Sequence, residues 1–304
     1  MDVVLIFNGL GNQMSQYAFY LAKRRVSRYC YAIYNRRSKM NHNGYELDRL
    51  FGINSNSGIR FCFFYALYKV LNSDRIAKFK GIVKKLFIRE IREAKNYDFD
   101  SQNLKSGHSW GINFYWGGWH SEKYFLSVED EVRQTFRFPE IKDSACQQIA
   151  ESIKNAKNSV SLHVRRGDYL TIQGDDFYQF GGVSTQYYYK SAVAKIKSMF
   201  SDAIFFVFSN DLAYCHETFD QMGGEYIIVD CNEGINSWRD MYLMSLCRHH
   251  IIANSTFSWW GAWLSDKEGV TICPNRFIRT VETKDIYPDR WIKIDAHPVS
   301  ENEA

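Results

Sequence analysis

The chain has 304 residues, enough to bury a sizeable core and to form two domains. Hydrophobic residues make up 45% of it and charged residues 24%, which is typical of a folded globular protein and excludes a largely disordered chain. The formal net charge of +4 is too small to indicate a nucleic-acid-binding protein, so we predict no nucleic-acid partner.

The amino terminus and the cysteines predict the compartment. Met1 and Asp2 lead directly into an apolar strand, without the charged leader of a signal peptide. No apolar run reaches the roughly 18 residues that cross a bilayer. The seven cysteines are scattered and include no Cys-x-x-Cys pair, which indicates reduced thiols rather than a metal framework. We therefore expect a cytoplasmic protein.

The hydrophobic periodicity predicts alternating strands and helices. In the first half we expect strands over 3–7, 29–34 and 112–116, a tight loop over 8–13, and helices over 14–26, 122–136 and 141–156, with 44–96 mostly helical. In the second half we expect strands over 160–164, 204–208, 226–229, 250–253 and 270–273, and helices over 185–200, 237–247 and 257–264. This alternation predicts an α/β fold with parallel sheets in two Rossmann-like domains, 1–157 and 158–304, facing each other across a cleft.

Positive charge is concentrated between Arg60 and Lys95. Ten Lys and Arg residues and three acidic residues give this segment a charge of +7, and its apolar residues recur at helical spacing. One interpretation is a helix with a buried stripe and a solvated face. The other is a patch that contacts an anionic membrane surface, which would place the protein at the inner face of the cytoplasmic membrane.

The strand over 160–164 runs into His163-Val164-Arg165-Arg166-Gly167-Asp168. Open α/β sheets bind ligands at the carboxyl ends of their strands. Two adjacent guanidinium groups suit a phosphate or pyrophosphate, because each planar fork donates two hydrogen bonds to paired oxygens. A solvated surface loop is the alternative, and an Arg-Gly-Asp adhesion signal is a further one that requires secretion.

Two more strands of the second half end in polar residues. Asn210 and Asp211 follow the strand over 204–208. The strand over 250–253 is followed by Asn254, Ser255, Thr256, Phe257 and Ser258. Such a hydroxyl-rich turn caps its own helix, and the same donors bind phosphate. Three such strand ends in one sheet converge on one edge and indicate a shared ligand site.

The first half has a glycine-rich turn, Gly9-Leu10-Gly11-Asn12-Gln13, between a strand and a helix. Its backbone N–H groups could approach an anion. A dinucleotide-binding motif would need a third Gly where Met14 stands, and an acidic residue after the second strand, where Arg36 and Arg37 follow instead. Those two arginines could hold the 2′-phosphate of NADP, so a reductase stays an alternative.

Metal ligands are poorly represented in the sequence. Asp98 and Asp100 have the Asp-x-Asp spacing of some metal-dependent glycosyltransferases, but no convincing strand leads into them. His249 and His250 are adjacent in a strand and point to opposite faces, so they would not chelate one ion. We predict no metal site.

Several of these segments together resemble glycosyltransferase family 11, the bacterial α-1,2-fucosyltransferases. The resemblance is spread over 9–14, 16–18, 121–125, 163–169, 208–211, 240–247 and 251–264, and the blocks at 163–169 and 251–264 are long and specific. The departures are mild. The family usually shows Gly where Asn8 stands, Phe where Ser15 stands, and often an aromatic-Gln pair where Trp119-His120 stands.

The resemblance implies a GT-B-like enzyme that takes GDP-fucose as its donor substrate, inverts the anomeric carbon and needs no cofactor or metal. It implies an acceptor-side domain at 1–157, a donor-side domain at 158–304 and a galactoside acceptor in surface polysaccharide. We expect Arg165, Asp168 and Asn12 to be catalytic. The expected substrate-binding residues are Gly11, Gln13, His163, Arg166, Asn210, Asp211, Asn254, Ser255, Thr256, Phe257 and Ser258. Transfer with another linkage, such as α-1,6, is the nearest alternative.

Overall fold

The computed structural model describes residues 1–34, 43–54, 58–71, 88–105, 111–166, 179–219 and 225–298. The chain divides into two compact units, Met1–Pro139 and Glu140–Ala304. The division falls earlier than the predicted boundary at 157, because the helix Ser144–Asn155 packs against the helix Trp238–Leu246 of the second unit.

The first unit is built on a four-stranded parallel sheet with the strand order β2-β1-β4-β3. The strands are β1 (Asp2–Ile6), β2 (Cys30–Tyr34), β3 (Ile88–Arg92) and β4 (Ile112–Trp116). The helices are α1 (Leu10–Val26), α2 (Glu46–Phe51), α3 (Gly58–Leu71) and α4 (Glu129–Thr135), with 3-10 turns at Ser101–Leu104, Glu122–Tyr124 and Leu126–Val128.

Helix α3 packs on one face of the first sheet, where Phe61, Phe64 and Tyr68 join the core formed by Val3 and Leu5. Helix α1 contributes Phe19, which stacks on Trp119 with ring centroids 4.2 Å apart. The first sheet is therefore fixed by aromatic side chains, which bury large areas for each ordered residue.

The second unit is built on a six-stranded parallel sheet with the order β10-β9-β8-β5-β6-β7. The strands are β5 (Ser159–Val164), β6 (Ile204–Ser209), β7 (Tyr226–Ile228), β8 (His249–Ile251), β9 (Thr271–Pro274) and β10 (Ile292–Ile294). The helices are α5 (Ser144–Asn155), α6 (Gln186–Met199), α7 (Leu212–Phe219), α8 (Trp238–Leu246) and α9 (Thr256–Trp263). Val160, Leu162 and Val164 of the central strand are fully buried against helix α6.

The predicted α/β fold with parallel sheets is confirmed, three local predictions are wrong, and two elements were missed. Residues 10–13 form the first turn of α1 rather than a loop, strand β3 lies in a segment predicted as helical, and 3-10 turns interrupt the helix predicted over 122–136. Helix α7 and strand β10 were not predicted. Parts of 44–96, including 55–57 and 72–87, lie outside the described residues, as do Arg36 and Arg37.

Asn8 explains the early start of α1. Its φ of 65° lies in the left-handed region, where Gly and Asn are the residues that occur most readily. This turn directs the chain into the helix at Leu10, and Gln13 donates the first helical hydrogen bond to the Gly9 carbonyl at 3.0 Å.

Candidate active site

Three strand ends converge on the carboxyl edge of the second sheet. Strand β5 pairs with β6 so that Val164 lies opposite Ser209, and the Ser209 hydroxyl donates to the Val164 carbonyl at 2.8 Å. The Arg166 N–H donates to the Asn210 side-chain carbonyl at 3.1 Å. The expected convergence of the arginine loop with the turn after β6 is therefore present.

Arg166 is held on two sides. Its Nε lies 3.4 Å from a carboxylate oxygen of Asp211, and its guanidinium carbon lies 3.8 Å from the centroid of the Tyr214 ring. The other Asp211 oxygen accepts the Tyr214 N–H at 3.2 Å and so caps helix α7. Two fixed partners define the direction of this guanidinium before any ligand arrives.

A pocket of about 150 Å³ opens beside the two arginines. Its described lining also includes Tyr189, Tyr214 and Asn254, the turn that leads into helix α6, and the first residues of that helix. These lining residues are Phe180, Gly181, Gly182, Ser184, Thr185 and Gln186. No acidic side chain occurs among the described residues of the lining. Two guanidinium groups near the amino terminus of a helix suit an anionic ligand.

Tyr189 positions the end of strand β5. Its hydroxyl donates to the His163 carbonyl at 3.0 Å and accepts the Arg165 N–H at 3.4 Å. Helix α6 presents Tyr189 from its first turn, where Thr185 caps the helix by accepting the Tyr188 N–H at 3.2 Å. The Arg165 backbone is thereby tied to a core helix.

Asn254 lines the pocket, but its amide is used inside the protein. The side-chain nitrogen donates to the carbonyls of Phe180 and Phe277 at 2.9 and 3.0 Å. The side-chain oxygen accepts the Ser184 hydroxyl at 2.9 Å. Both amide protons are occupied, so the observed role of Asn254 is to fix the pocket wall, and its predicted contact with substrate stays a prediction.

The turn after Asn254 caps helix α9. Ser255 is the N-cap and accepts the Phe257 N–H at 3.3 Å, and Ser258 donates back to the Ser255 carbonyl at 3.3 Å. Ser258 is buried, whereas Thr256 and Phe257 are partly exposed. The capping interpretation is confirmed, and the additional phosphate role of these residues is untested.

His163 is a neutral buried group at the end of β5. Burial, assisted by the nearby Arg165 charge, lowers the pKa of His163 to about 3. Its Nδ1 has no hydrogen-bond partner among the described residues, and its ring lies 6.0 Å from that of Phe257. A neutral imidazole can donate from one nitrogen and accept at the other, which suits a nucleobase edge.

The predicted residues of the first unit have different environments. Gln13 is fully buried, and its amide nitrogen donates to the Asn8 and Gly44 carbonyls at 2.7 Å each. Its oxygen accepts the Glu46 N–H at 3.0 Å. The Gln13 amide N–H groups, which were predicted to orient a sugar, therefore bond to the loops that contain Asn8 and Gly44. Gly11 lies buried in the first turn of α1, and the side chain of Asn12 is partly exposed.

Asp168 lies outside the described residues, so its predicted role is untested. No group of three or more His, Cys, Asp or Glu side chains with metal-binding geometry occurs within the described ranges. Asp98 accepts from the Asn96 amide at 2.6 Å, and Asp100 caps a 3-10 turn through the Gln102 N–H at 2.8 Å. Both carboxylates of the Asp-x-Asp pair therefore have local partners.

Sequence reasoning missed the residues that form the pocket wall. Tyr214 and Tyr189 contact the arginines from two helices, and Ser184 bonds Asn254. One signal was available for Tyr214: Asp211 followed by an apolar residue is an N-cap pattern, and Tyr214 lies in the first turn that it predicts. Nothing local indicated the other two.

Two α/β units, each built on a parallel sheet, define a GT-B-like fold, and the second unit carries a cationic pocket at its strand ends. The fold is similar to that of the fucosyltransferase NodZ from Bradyrhizobium, with a TM-score of 0.50 and 11% identity over 86% of this chain and 90% of that one. At this identity the likeness shows the fold alone.

The chain belongs to glycosyltransferase family 11, because the family model described as Glycosyl transferase family 11 matches residues 62–295. It is 31% identical to an alpha-1,2-colitosyltransferase of Escherichia coli over 96% of this chain and 98% of the relative. It is 28% identical to the O-antigen biosynthesis glycosyltransferase WbnK of Escherichia coli over 94% of this chain and 98% of the relative.

A more distant relative matches only part of the chain. A galactoside alpha-(1,2)-fucosyltransferase 1 of Leontocebus fuscicollis is 23% identical over 57% of this chain and 50% of that protein. The resemblance seen in the sequence is confirmed.

Proposed function

We propose that this glycosyltransferase moves L-fucose from GDP-fucose to the 2-hydroxyl of a terminal β-galactoside during the synthesis of a surface polysaccharide, either an O-antigen or a capsule. Membership of family 11 supports the reaction class. Two relatives with α-1,2 activity in their names support the linkage, and the name of WbnK supports the O-antigen context.

The observation that carries the donor assignment is the pocket between Arg165, Arg166 and the amino terminus of helix α6. Its volume of about 150 Å³ suits the diphosphate part of a nucleotide sugar. The diphosphate charge is met by guanidinium and backbone N–H groups, so no metal is required for binding in this proposal.

In the proposed reaction Arg165 stabilises the departing diphosphate. The bond between the anomeric carbon and the phosphate oxygen breaks as the acceptor oxygen approaches from the opposite face, which inverts the configuration. Positive charge develops on the sugar ring, as in glycoside hydrolysis, and negative charge develops on the leaving group. A fixed guanidinium that strengthens its contact with that growing negative charge lowers the barrier.

We assign recognition of the guanine ring to His163 and to the turn at Asn210 and Asp211. The neutral state of His163 supports an uncharged hydrogen bond to guanine. A carboxylate can accept from both guanine N–H groups, and Asp211 would do so from the position in which it also contacts Arg166. Asn12 is assigned to the sugar or to the incoming hydroxyl, and Asp168 to the acceptor proton or to the arginine geometry.

A second donor is favoured by one observation, the colitosyltransferase relative that matches nearly the whole chain. Colitose is a deoxy analogue of fucose that lacks one ring hydroxyl. An enzyme built to hydrogen-bond that hydroxyl discriminates strongly against the analogue, whereas one without the contact accepts both. GDP-colitose and GDP-fucose supplied together, with the products separated by mass, distinguish the two donors.

The first experiment measures acceptor-dependent GDP release from GDP-fucose with lactose, in EDTA, and analyses the product by mass spectrometry. We expect a fucosylated trisaccharide, and NMR of that product distinguishes α-1,2 from α-1,6 linkage. No detectable binding of GDP-fucose would contradict the donor assignment, and titration with GDP-colitose would then test the second donor. Turnover that stops in EDTA and returns with a divalent metal would contradict the metal-independent mechanism.

A further inference from the structure

Helix α3 of the first unit is apolar on its outer side as well as on its inner side. Phe61, Phe64 and Tyr68 are buried against the sheet. On the outer side, Ile59 is 89% exposed and Phe63 is 56% exposed, four positions apart and therefore on one face of the helix. Cys62 and Ala66 lie beside them and are also exposed. Water-soluble helices normally place polar residues on the outer face, so this face fits an apolar or interfacial environment.

Cations surround this outer face. The guanidinium carbon of Arg60 lies 5.5 Å from the centroid of the Tyr31 ring. The Lys69 ammonium lies 5.1 Å from the Tyr65 ring. Both cations are exposed, and neither forms an ion pair with a carboxylate in the part of the chain that the structure describes. Each charge is held near an aromatic ring and remains available to an anion outside the protein.

A third cation near the helix is already paired. Arg92, at the end of strand β3, lies 5.2 Å from the Trp116 ring, and its guanidinium forms an ion pair with Glu90 at 3.2 Å. Arg60 and Lys69 are therefore the two cations that we assign to the outer face. Apolar side chains flanked by aromatic rings and cations are the composition of a surface that rests in the headgroup region of a bilayer.

We propose that the outer face of α3, defined by Ile59, Phe63, Arg60 and Lys69, docks the protein on an anionic lipid bilayer. Ile59 and Phe63 enter the boundary between headgroups and acyl chains, and the cations contact lipid phosphates. A nucleic acid would use the cations but would leave Ile59 and Phe63 in water, so the apolar part of the face favours a bilayer. The proposal places the membrane contact on helix α3 rather than on the whole basic segment between Arg60 and Lys95. It does not depend on the identity of the donor or the acceptor.

The test is flotation of the full chain with phosphatidylcholine vesicles, with and without phosphatidylglycerol. We expect the wild-type protein to float only with the anionic vesicles, and less at high salt, because the charge contribution is screened. Substituting both Ile59→Ser and Phe63→Ser is expected to weaken partitioning about tenfold or more, since apolar contact is lost. Substituting both Arg60→Gln and Lys69→Gln is expected to remove most of the preference for anionic vesicles.

A matched control is available in the second unit. Ile235 is 56% exposed in the turn Gly234–Asn236, and Ile235→Ser changes a side chain of similar exposure away from the proposed face. Thermal unfolding of each variant confirms that it is folded, which is expected because the changed side chains are exposed. The proposal is wrong if the wild-type protein fails to float with anionic vesicles, or if Ile235→Ser weakens flotation as much as the α3 substitutions. A dimer in solution that the α3 substitutions dissociate, without vesicle binding, would assign the face to a second copy and would also contradict the proposal.

Discussion

Both sheets are parallel, but the polar groups at their carboxyl edges are used in opposite ways. In the second unit, Arg165 and Arg166 face a pocket whose described lining lacks acidic residues. In the first unit, the polar side chains at the strand ends bond to backbone. Gln16 accepts the Phe7 N–H at 2.8 Å and donates to the Gly117 carbonyl at 3.0 Å, and so joins the ends of β1 and β4.

Glu93 completes the bonding of the first edge. One carboxylate oxygen accepts the N–H groups of Gly118 and Trp119 at 2.7 and 2.8 Å, which ties the end of β3 to the turn after β4. Trp119 has a φ of 52°, and a Cβ atom at Gly118 would collide with the buried ring of His120. One parallel sheet thus uses its carboxyl edge to close its own loops, and the other uses it to present charge.

The largest expected effect is a loss of activity when a charged residue at the carboxyl edge of the second sheet is replaced. Arg165→Ala should lower kcat/KM about 10³-fold, or ~4 kcal/mol in transition-state free energy, because it removes the cation assigned to the leaving diphosphate. Arg248→Ala is the matched control, since the Arg248 backbone N–H donates to the Ser159 hydroxyl at the opposite end of the same sheet and its side chain lies away from the pocket, 3.4 Å from the Glu268 carbonyl. Steady-state kinetics and calorimetric titration with GDP measure both variants. Turnover near the wild-type value in Arg165→Ala would remove this residue from the mechanism.

The next prediction concerns neighbours in α1. Gln13→Ala should reduce the free energy of unfolding by about 3 kcal/mol, because the Asn8 and Gly44 carbonyls and the buried Glu46 N–H each lose a hydrogen bond. Asn12→Ala should change stability by no more than about 0.5 kcal/mol and lower kcat about tenfold or more. Urea unfolding and kinetics on the same samples measure both. The assignment of a structural role to Gln13 and a catalytic role to Asn12 is wrong if Asn12→Ala is as destabilising as Gln13→Ala and leaves kcat unchanged.

The third prediction concerns pH. Burial raises the pKa of Glu93 from 4.5 to about 7, although backbone N–H groups oppose the shift. The folded protein therefore binds more protons than the unfolded chain between these values, and the contribution of Glu93 to stability is lost as the pH rises through 7. The stability advantage of the wild type over Glu93→Gln should fall by about 2 kcal/mol between pH 5 and pH 8.

Urea unfolding of both proteins at the two pH values measures this difference. The buried histidines titrate in the opposite sense, because burial lowers their pKa, but they are present in both proteins and cancel in the comparison. Asp240→Asn is the counterpart in the second unit, where burial raises the pKa of Asp240 to about 7. Parallel stability curves for wild type and Glu93→Gln would show that Glu93 does not titrate in this range.

The smallest expected effect tests whether a helix cap also contacts the donor. Ser255→Ala should reduce stability by about 1 kcal/mol through loss of the cap of α9. If its hydroxyl also donates to a phosphate, the KM for the donor should rise about fivefold, and this is the result we expect. Ser255→Thr preserves both functions and serves as the control. A donor KM unchanged in Ser255→Ala would leave Ser255 with the capping role alone.

Most strands were predictable because their signal is local. The strand Ser159–Val164 and its following arginines were found directly, since a buried parallel strand reads as an apolar run and its polar end marks the ligand edge. Strand β3 was missed because its sequence, Ile-Arg-Glu-Ile-Arg, contains two apolar residues three apart, which also fit a helix. At the edge of the sheet it needs only one fully buried side chain, Ile88.

The pocket wall was not predictable for a different reason. Asn254 reaches Phe180 and Phe277 across 74 and 23 positions of sequence, and Tyr189 reaches His163 across 26. Sequence patterns report which residues end a strand or begin a helix, but they do not report which distant loop an amide will bond. Gln13 shows the same limit, because nothing local indicated that its amide bonds the Gly44 carbonyl 31 positions away, and its predicted ligand contact stays a prediction.

The ion pair between Arg166 and Asp211 also determines how the pocket responds to ionic strength. The pocket has two positive charges, Arg165 and Arg166, and the Asp211 carboxylate already balances that of Arg166. The site therefore attracts distant anions weakly, as a single cation would. Selection then depends on short-range geometry, which salt screens little. Donor affinity should therefore vary only slightly with salt concentration, and polyanions such as nucleic acids should compete poorly for the site.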